Sequence, residues 1–374
     1  MQPNYSICFI SPSTVHKSIG GSEVQIQILS NEMSKRNKKV YLLTAPDQIP
    51  SDDNSAIEYI PFKEGNNYEK NVQRFSDLLY KIKPDILYQR GRKLWTWYTG
   101  QYAKQSNSKF IFAASMDIDC FKTKFLFRKP RSAYEAYKRV KKFKKIYKID
   151  RLTLNGMKSA NRILAQTNMQ KHLLTKNLKL ESTIFPNLHP SEELNEIKKN
   201  SPPTIVWIAN LKKWKQPEVF LKLVEELNNL HAKFIMAGNL SDSSYSDLIN
   251  KVKKVNKYFS YLGPVSLEKS NEILNQASIF INTSGMEEGF PNTFIQSWLR
   301  KTPTITLNFD PDNLIEDNQL GFKAENYHGL VTYINMLLDN PNLRKEMGNN
   351  AYTFATKNFS IENRIDDFIN LIEN

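Results

Sequence analysis

Ser278-Ile-Phe-Ile-Asn-Thr-Ser-Gly-Met-Glu-Glu-Gly-Phe-Pro-Asn-Thr-Phe-Ile-Gln-Ser-Trp-Leu-Arg-Lys-Thr-Pro-Thr-Ile-Thr-Leu307 sets two short apolar runs on either side of a helical stretch. Residues 278–282 and 304–307 read as strands buried on both faces, where the usual polar alternation disappears. Between them Pro291 stands at the expected first helical position, which has no need of an N–H. Asn292 and Thr293 follow with amides free to meet an anion. Glu288 lies in the loop before this helix and Gln296 about a turn and a half beyond Pro291, so both can face one site. Strand, loop, helix and strand in this order make a parallel crossover unit.

The same alternation extends in both directions. Buried strands are expected at 6–11, 40–44, 85–89, 109–113, 162–166 and 182–185, with helices around 24–33, 68–82 and 94–106. A proline-rich polar stretch, 186–203, interrupts the pattern. It restarts with strands at 204–209, 233–237 and 258–262, a helix opening at Pro217, and an all-helical end over 325–374. No hairpin turn separates these strands, so each half specifies a parallel sheet covered on both faces. The expected organisation is a first α/β domain over 1–186, a linker over 187–203, a second α/β domain over 204–357 and a terminal segment over 358–374. Two doubly wound halves place a ligand between them, at the carboxyl ends of their strands.

Composition narrows the class. Of 374 residues, 40% are hydrophobic and 11% aromatic, which excludes a disordered polar chain. Cys8 and Cys120 are too few for a disulfide framework or a cysteine-rich metal site, and fit a reducing compartment. Met1-Gln-Pro-Asn-Tyr-Ser lacks the basic head and apolar run of a secretion signal, and no stretch approaches the ~20 apolar residues needed to span a bilayer. A cytoplasmic protein is expected.

The net charge of +14 points to an acidic partner, and its distribution is uneven. Residues 122–151 hold 13 basic and 2 acidic side chains, a net of +11, whereas the rest of the chain holds 39 and 36. Within this block, residues 133, 136, 137, 140, 143 and 147 share one helix face, and lysines and an arginine between 138 and 148 fill the other. Such a helix either packs on its own domain with a solvated charged face or lies on an anionic membrane. Nucleic acid is not expected, because no DNA- or RNA-binding motif accompanies the charge.

Gly20-Gly21 follows the first strand and opens a helix, where glycine lets backbone approach a phosphate. It is neither G-x-G-x-x-G nor a Walker A loop, which argues against a dehydrogenase or a P-loop NTPase. His16, His172, His189, His231 and His328 show no zinc-ligand spacing. His16 is near enough to the glycine loop to touch a ligand, and the other four read as ordinary surface or core residues. No Gly-x-Ser-x-Gly or Cys/His arrangement supports a hydrolytic triad.

Glu288-Gly-Phe-Pro-Asn-Thr-Phe-Ile-Gln296, followed by Pro303 and a strand, resembles the Glu-x7-Glu motif of glycosyltransferase family 4, the retaining GT-B enzymes. The resemblance covers nearly the whole chain. Gly20-Gly21 matches that family's glycine loop, and Trp207 to Glu218 its strand, Gly-Arg-Leu and Lys-Gly segment. Tyr261-Leu-Gly-Pro-Val265 is similar to the loop beside the nucleobase, which brings in Gly263. Asn358-Phe-Ser-Ile-Glu362 is similar to the start of the terminal helix. What the resemblance implies is a GT-B fold: two Rossmann-like domains facing each other across a cleft, acceptor side first and donor side second, with the last helix returning to the first domain.

It further implies a nucleotide sugar as substrate, with Gly20, Gly21, Lys215 and the amides of Asn292 and Thr293 on the donor diphosphate. Glu288 would contact the transferred sugar and Gln296 the ribose. A lysine suits the growing charge of a leaving diphosphate. Three positions depart from the family pattern. Gln296 replaces the second glutamate, and Asn210 stands where the Gly-Arg-Leu arginine would be, with Lys212 or Lys213 as substitutes. The acceptor-side histidine has no counterpart in Ala114-Ser-Met-Asp-Ile-Asp119, where Asp117 is the nearest candidate for an acceptor-orienting group or base. Asp117-Ile-Asp119 and Asp310-Pro-Asp312 spell the D-x-D of metal-dependent GT-A transferases. The two-domain parallel pattern argues against that fold, so no metal cofactor is expected.

The reading that results is a retaining, family-4-like hexosyltransferase acting on a glycan or lipid-linked hydroxyl acceptor. Cell-envelope or exopolysaccharide assembly at the inner face of the cytoplasmic membrane is the expected setting, with residues 122–151 as the membrane contact. Retention without an evident enzymic nucleophile implies attack on the leaving group's face, the departing diphosphate taking the acceptor's proton. A non-catalytic nucleotide-sugar-binding protein and a sugar-nucleotide epimerase of the same fold are the alternatives.

Overall fold

The computed structural model describes residues 5–17, 20–51, 56–123, 133–191, 197–240, 242–285 and 289–374, with side chains between 133 and 142 described at 137 and 140. The chain divides into two compact units, Met1–Asn187 with Asp367–Asn374, and Leu188–Asp366.

The first unit runs β1 (Ser6–Ile10), α1 (Gly21–Lys35), β2 (Lys39–Thr44), β3 (Ile57–Pro61), α2 (Tyr68–Ile82), β4 (Ile86–Arg90) and α3 (Leu94–Ala103). It continues through β5 (Lys109–Ala113), α4 (Ala133–Met157), β6 (Arg162–Ala165), α5 (Asn168–Leu173) and β7 (Thr183–Ile184). Its sheet has the order β3-β2-β1-β4-β5-β6-β7 and every pairing is parallel. The order reverses at β1, where the chain goes one way to β2 and the other to β4, leaving a crevice at the carboxyl ends. One layer of core joins Cys8, Ile10, Leu87 and Phe112 of the sheet to Phe75, Leu79, Trp95 and Tyr98 of α2 and α3.

The second unit runs β8 (Thr204–Ile208), α6 (Pro217–Glu226), β9 (Lys233–Ala237), α7 (Ser244–Val255), β10 (Phe259–Tyr261), α8 (Leu267–Gln276), β11 (Ile279–Asn282) and α9 (Asn292–Trp298). Then come β12 (Thr304–Leu307), α10 (Leu314–Asp317), β13 (Gly321–Ala324), α11 (Tyr327–Asp339), α12 (Pro341–Phe359) and α13 (Ile361–Glu373). Its parallel sheet has the order β10-β9-β8-β11-β12-β13, with the switch between β8's neighbours β9 and β11. Phe220 and Val224 of α6 and Leu330 and Ile334 of α11 cover one sheet face, while Phe294, Trp298 and Ala355 cover the other.

Two doubly wound parallel α/β units are therefore present, as the alternating pattern requires. The second half of α13 belongs to the first unit. Phe368 there stands 5.5 Å from the rings of both Tyr88 and Phe185. Among the described residues no helix is long and apolar enough to cross a membrane. One expectation needs adjusting: Pro291 precedes α9 as its N-cap, so Asn292 is the first helical residue.

Candidate active site

In the second unit, the loops after β8, β9 and β11 are tied into one assembly at the carboxyl end of the sheet. Beyond β8 the chain forms a short 3₁₀ turn, Lys213-Trp214-Lys215, and Gln216 enters α6 with a left-handed φ of 49°. The buried Thr283, just past β11, holds this turn. Its hydroxyl donates to the carbonyl oxygens of Lys215 and Gln216 at 2.7 and 3.0 Å, and accepts the indole N–H of Trp207 at 2.9 Å. Gly285 N–H donates to the Trp214 carbonyl at 3.0 Å. Lys215 and the loop leading into the Glu288–Gln296 motif are thereby brought together across two neighbouring strands.

Lys215 lies with its Nζ 4.4 Å from the centre of the Trp214 ring. Burial, with a smaller contribution from the charge of Lys212, pushes its ammonium down to about 7. Two cations close together in one turn favour an anionic ligand, since a diphosphate would restore the full charge of Lys215. Lys212 is thus a cation neighbouring Lys215.

Asn210 takes a different part. Its Oδ1 accepts the N–H of Asn239 at 3.2 Å, and Leu211 N–H donates to the Asn239 carbonyl at 2.9 Å. This clamps the loops after β8 and β9 together. Gly238 makes the approach possible: at φ +144°, a Cβ there would lie 1.7 Å from the Ala209 carbonyl oxygen. Gly263 has φ +72° with open space around its Cβ position, and its carbonyl accepts the N–H of Gly238 at 2.8 Å. Tyr261 Oη donates to the Gly238 carbonyl, also at 2.8 Å.

Asn292 and Thr293 open α9, both partly exposed. The Asn292 side chain is hydrogen-bonded to His189, a fully buried imidazole that burial and the nearby Arg300 hold at about 3, hence neutral. Gln296 is 4% exposed, and its Nε2 donates to Asn271 Oδ1 at 2.8 Å and to Ser270 Oγ at 3.4 Å. Its carboxamide is thus ordered from α8. Glu288 lies outside the described residues.

In the first unit, Gly20 is the N-cap of α1 in extended conformation and Gly21 its first residue. The Glu23 carboxylate reaches back to this turn, accepting Ser13 Oγ at 2.6 Å and Lys93 Nζ at 3.2 Å. A Cβ on Gly20 would lie 2.5 Å from Glu23 Oε2. A larger residue at position 20 would have to displace the end of this side chain. His16 is exposed nearby in sequence. Asp117 Oδ1 accepts Gln170 Nε2 at 3.1 Å. Asp119, 2% exposed, accepts from the backbone N–H groups of Arg92, Ser115 and Met116 and from Ser115 Oγ. In the other D-x-D, Asp310 accepts from Ile315 and Glu316 N–H at the start of α10. One aspartate of each pair is thus committed to shaping backbone.

Thr283, Trp207, Gly238 and His189 position the site; in the sequence Trp207 marks only the start of a resembling segment and His189 reads as an ordinary surface or core residue, while Thr283 and Gly238 carry no signal. Buried Arg90 and Arg92, at and just beyond the end of β4, were also missed; Arg92 Nη1 donates to the Phe121 carbonyl at 2.6 Å. Runs of strand residues conceal such polar members because nothing local distinguishes them.

The comparisons agree with this geometry. Residues 191–354 match the family model described as glycosyl transferases group 1. An uncharacterized glycosyltransferase of Methanocaldococcus jannaschii is 23% identical over 364 residues, covering 91% of this chain and 86% of that protein. A glycosyltransferase from Rickettsia africae superimposes with a TM-score of 0.74 at 18% identity, covering 99% of this chain and 98% of that one. Anabaena HepE in complex with UDP-glucose gives 0.72 at 12% identity, covering 98% and 100%. The fold is GT-B. Within it, residues 191–354 match the group 1 glycosyltransferase family model, and together these matches support glycosyltransferase activity.

Proposed function

We propose that this protein is a retaining, family-4-like glycosyltransferase that moves a hexosyl group from a nucleotide sugar to a hydroxyl of a glycan or lipid-linked acceptor. The observation that carries this reading is the joining of Lys215 to the loop of the Glu288–Gln296 motif, through Thr283 and the Gly285–Trp214 hydrogen bond. A cation held beside the strand end that leads into the motif is pre-organised for a diphosphate.

In this reading Lys215, with Lys212 beside it and the amides of Asn292 and Thr293, takes the donor diphosphate. Gly20 and Gly21 supply backbone from the first unit, Glu288 the sugar contact, Gln296 the ribose contact and Gly263 the backbone beside the base. Asn210 acts by holding the β8 and β9 loops together. Asp117 orients the acceptor hydroxyl. The bond from the anomeric carbon to the diphosphate breaks, the acceptor oxygen bonds to that carbon on the same face, and its proton passes to the departing diphosphate. No metal is required, because Lys215 and the amides meet the leaving charge. Cell-envelope or exopolysaccharide assembly at the inner membrane face is the proposed setting.

The test is Lys215→Ala in transfer assays with nucleotide sugars and lipid-linked or oligosaccharide acceptors. Turnover should fall by about 10²–10³. Full activity in that variant removes the diphosphate assignment, and conversion of the donor with no acceptor present identifies an epimerase instead.

A further inference from the structure

The first half of α4 carries a row of exposed apolar side chains. Tyr137, Val140, Phe143 and Tyr147 are 63, 69, 42 and 47% exposed. Positions three and four apart share a helix face. The rings of Phe143 and Tyr147 stack on each other at 5.8 Å, so the strip is continuous. Isolated exposed apolar residues are ordinary on a protein surface, but a contiguous row of four marks an interaction site. Of the face that either packs on the domain or lies on a membrane, these four members point outward in the fold.

The other half of the helix is firmly mounted. Asp150, Thr153 and Met157 are buried. Gly156 lies so close to α3 that a Cβ would come within 2.1 Å of the Thr96 carbonyl oxygen, and one on Gly100 within 2.7 Å of Gly156. A close-packed contact thus holds out a strip flanked by exposed Lys144, Lys145 and Lys148.

An occupant has to offer apolar depth and negative charge together. Nucleic acid offers charge and stackable bases, but Val140, the most exposed rung, has no stacking chemistry, and the two neighbouring rings already stack on each other. A second copy would bring another segment of net charge +11 against this one. An anionic bilayer supplies both requirements: headgroup phosphates for the lysines and an acyl boundary for the rungs. Tyrosine at the two ends of the strip suits the headgroup level, with one apolar and one wet edge.

We propose that residues 137–148 of α4 dock the protein on an anionic lipid bilayer, with Val140 and Phe143 entering the acyl boundary and Lys144, Lys145 and Lys148 meeting headgroup phosphates. The docking stands on its own observations; it rests on the transferase reading only in naming where a lipid-carried acceptor is met.

The test floats full-length protein with vesicles of phosphatidylcholine alone, or of phosphatidylcholine with phosphatidylglycerol, at low and high salt. Binding should require the anionic lipid and weaken with salt. Replacing Lys144, Lys145 and Lys148 by Gln should lower vesicle affinity about fivefold per charge. Val140→Ser with Phe143→Ser should lower it about tenfold or more, with unchanged circular dichroism and nucleotide binding. Both native cysteines are buried, so a Val140→Cys variant can be labelled selectively with an environment-sensitive dye. Its emission should shift to the blue on anionic vesicles. The proposal is overturned by equal binding to neutral vesicles, by undiminished binding of either variant, or by a label that stays in water. Preference for RNA over vesicles, or a dimer dissolved by the serine pair, also overturns it. Nucleotide binding is read in the same samples: its absence in the unmodified protein counts against the transferase reading, and vesicle binding alone decides the docking.

Discussion

The hydroxyl of Thr283 donates to the carbonyl oxygen of Lys215 at 2.7 Å while it accepts the indole N–H of Trp207. One small buried side chain thus connects the end of β11, the inside of β8 and the turn that presents the lysine. The Trp207 indole is buried, so removing the hydroxyl leaves its N–H unmatched.

Thr283→Val keeps the shape and removes the hydroxyl. It should cost about 1–3 kcal/mol in urea unfolding, the range for stranding buried polar partners. Nucleoside diphosphate affinity should fall with it, because the Lys215 turn loses its tether. Thr283→Ser should retain most of both. Equal stability and affinity in Thr283→Val would show that the turn holds itself.

Lys215 gives a proton-linked prediction. Burial and Lys212 hold its ammonium at about 7 without ligand, so at pH 8 much of the population is neutral. A bound diphosphate favours the charged form and raises the pKa. Binding at pH 8 should therefore take up close to one proton, and affinity should decline as pH rises from 7 towards 9. Calorimetry in buffers of different ionisation enthalpy measures the uptake. Lys215→Arg should bind without it, and a pH-independent affinity in the unmodified protein contradicts the assignment.

His189 couples stability to acid. Its imidazole is held at about 3, below the ordinary 6.5, first by burial and then by Arg300, against the opposing hydrogen bond it makes to Asn292. Between pH 3 and 6.5 the unfolded chain binds the proton and the folded one does not. Stability therefore rises with pH through that window and levels above it. The acid cost is on the order of a few kcal/mol. His189→Gln should flatten this part of the profile relative to the unmodified protein, measured by denaturant unfolding from pH 4 to 8. Parallel profiles would mean that His189 does not carry the dependence.

Much of the fold was readable because a strand buried on both faces must be an apolar run, as residues 205–208 and 279–281 are. The order of those strands was not, and the positioning residues depend on it. Thr283 meets Trp207 only because β11 lies beside β8, and Gly238 meets Ala209 only because β9 lies on the other side. Gln296 looked as available as any helical polar residue, yet Asn271 on α8 holds its amide. The α4 strip shows a different limit. Apolar spacing at 137, 140, 143 and 147 reveals a face but not what covers it, which depends on where the rest of the chain goes.

Two glycines separate steric need from conformational need. Gly238 at φ +144° has the Ala209 carbonyl oxygen 1.7 Å from its Cβ position, and it anchors the contact between the loops after β8 and β9. Neither backbone can give way without breaking the hydrogen bonds at Asn239 and Gly263. Gly263 at φ +72° faces open space, so alanine there meets only the intrinsic cost of a left-handed residue, roughly 1–2 kcal/mol. Gly263→Ala should therefore remain folded, with a modest fall in melting temperature and nucleotide affinity close to the original. Gly238→Ala should lose several times as much stability and most of the nucleotide affinity, because it forces apart the loops carrying Asn210 and the Lys215 turn. Thermal melts and titration with a nucleoside diphosphate compare the two. If Gly238→Ala proves the milder change, the β8–β9 loop contact does not support the site.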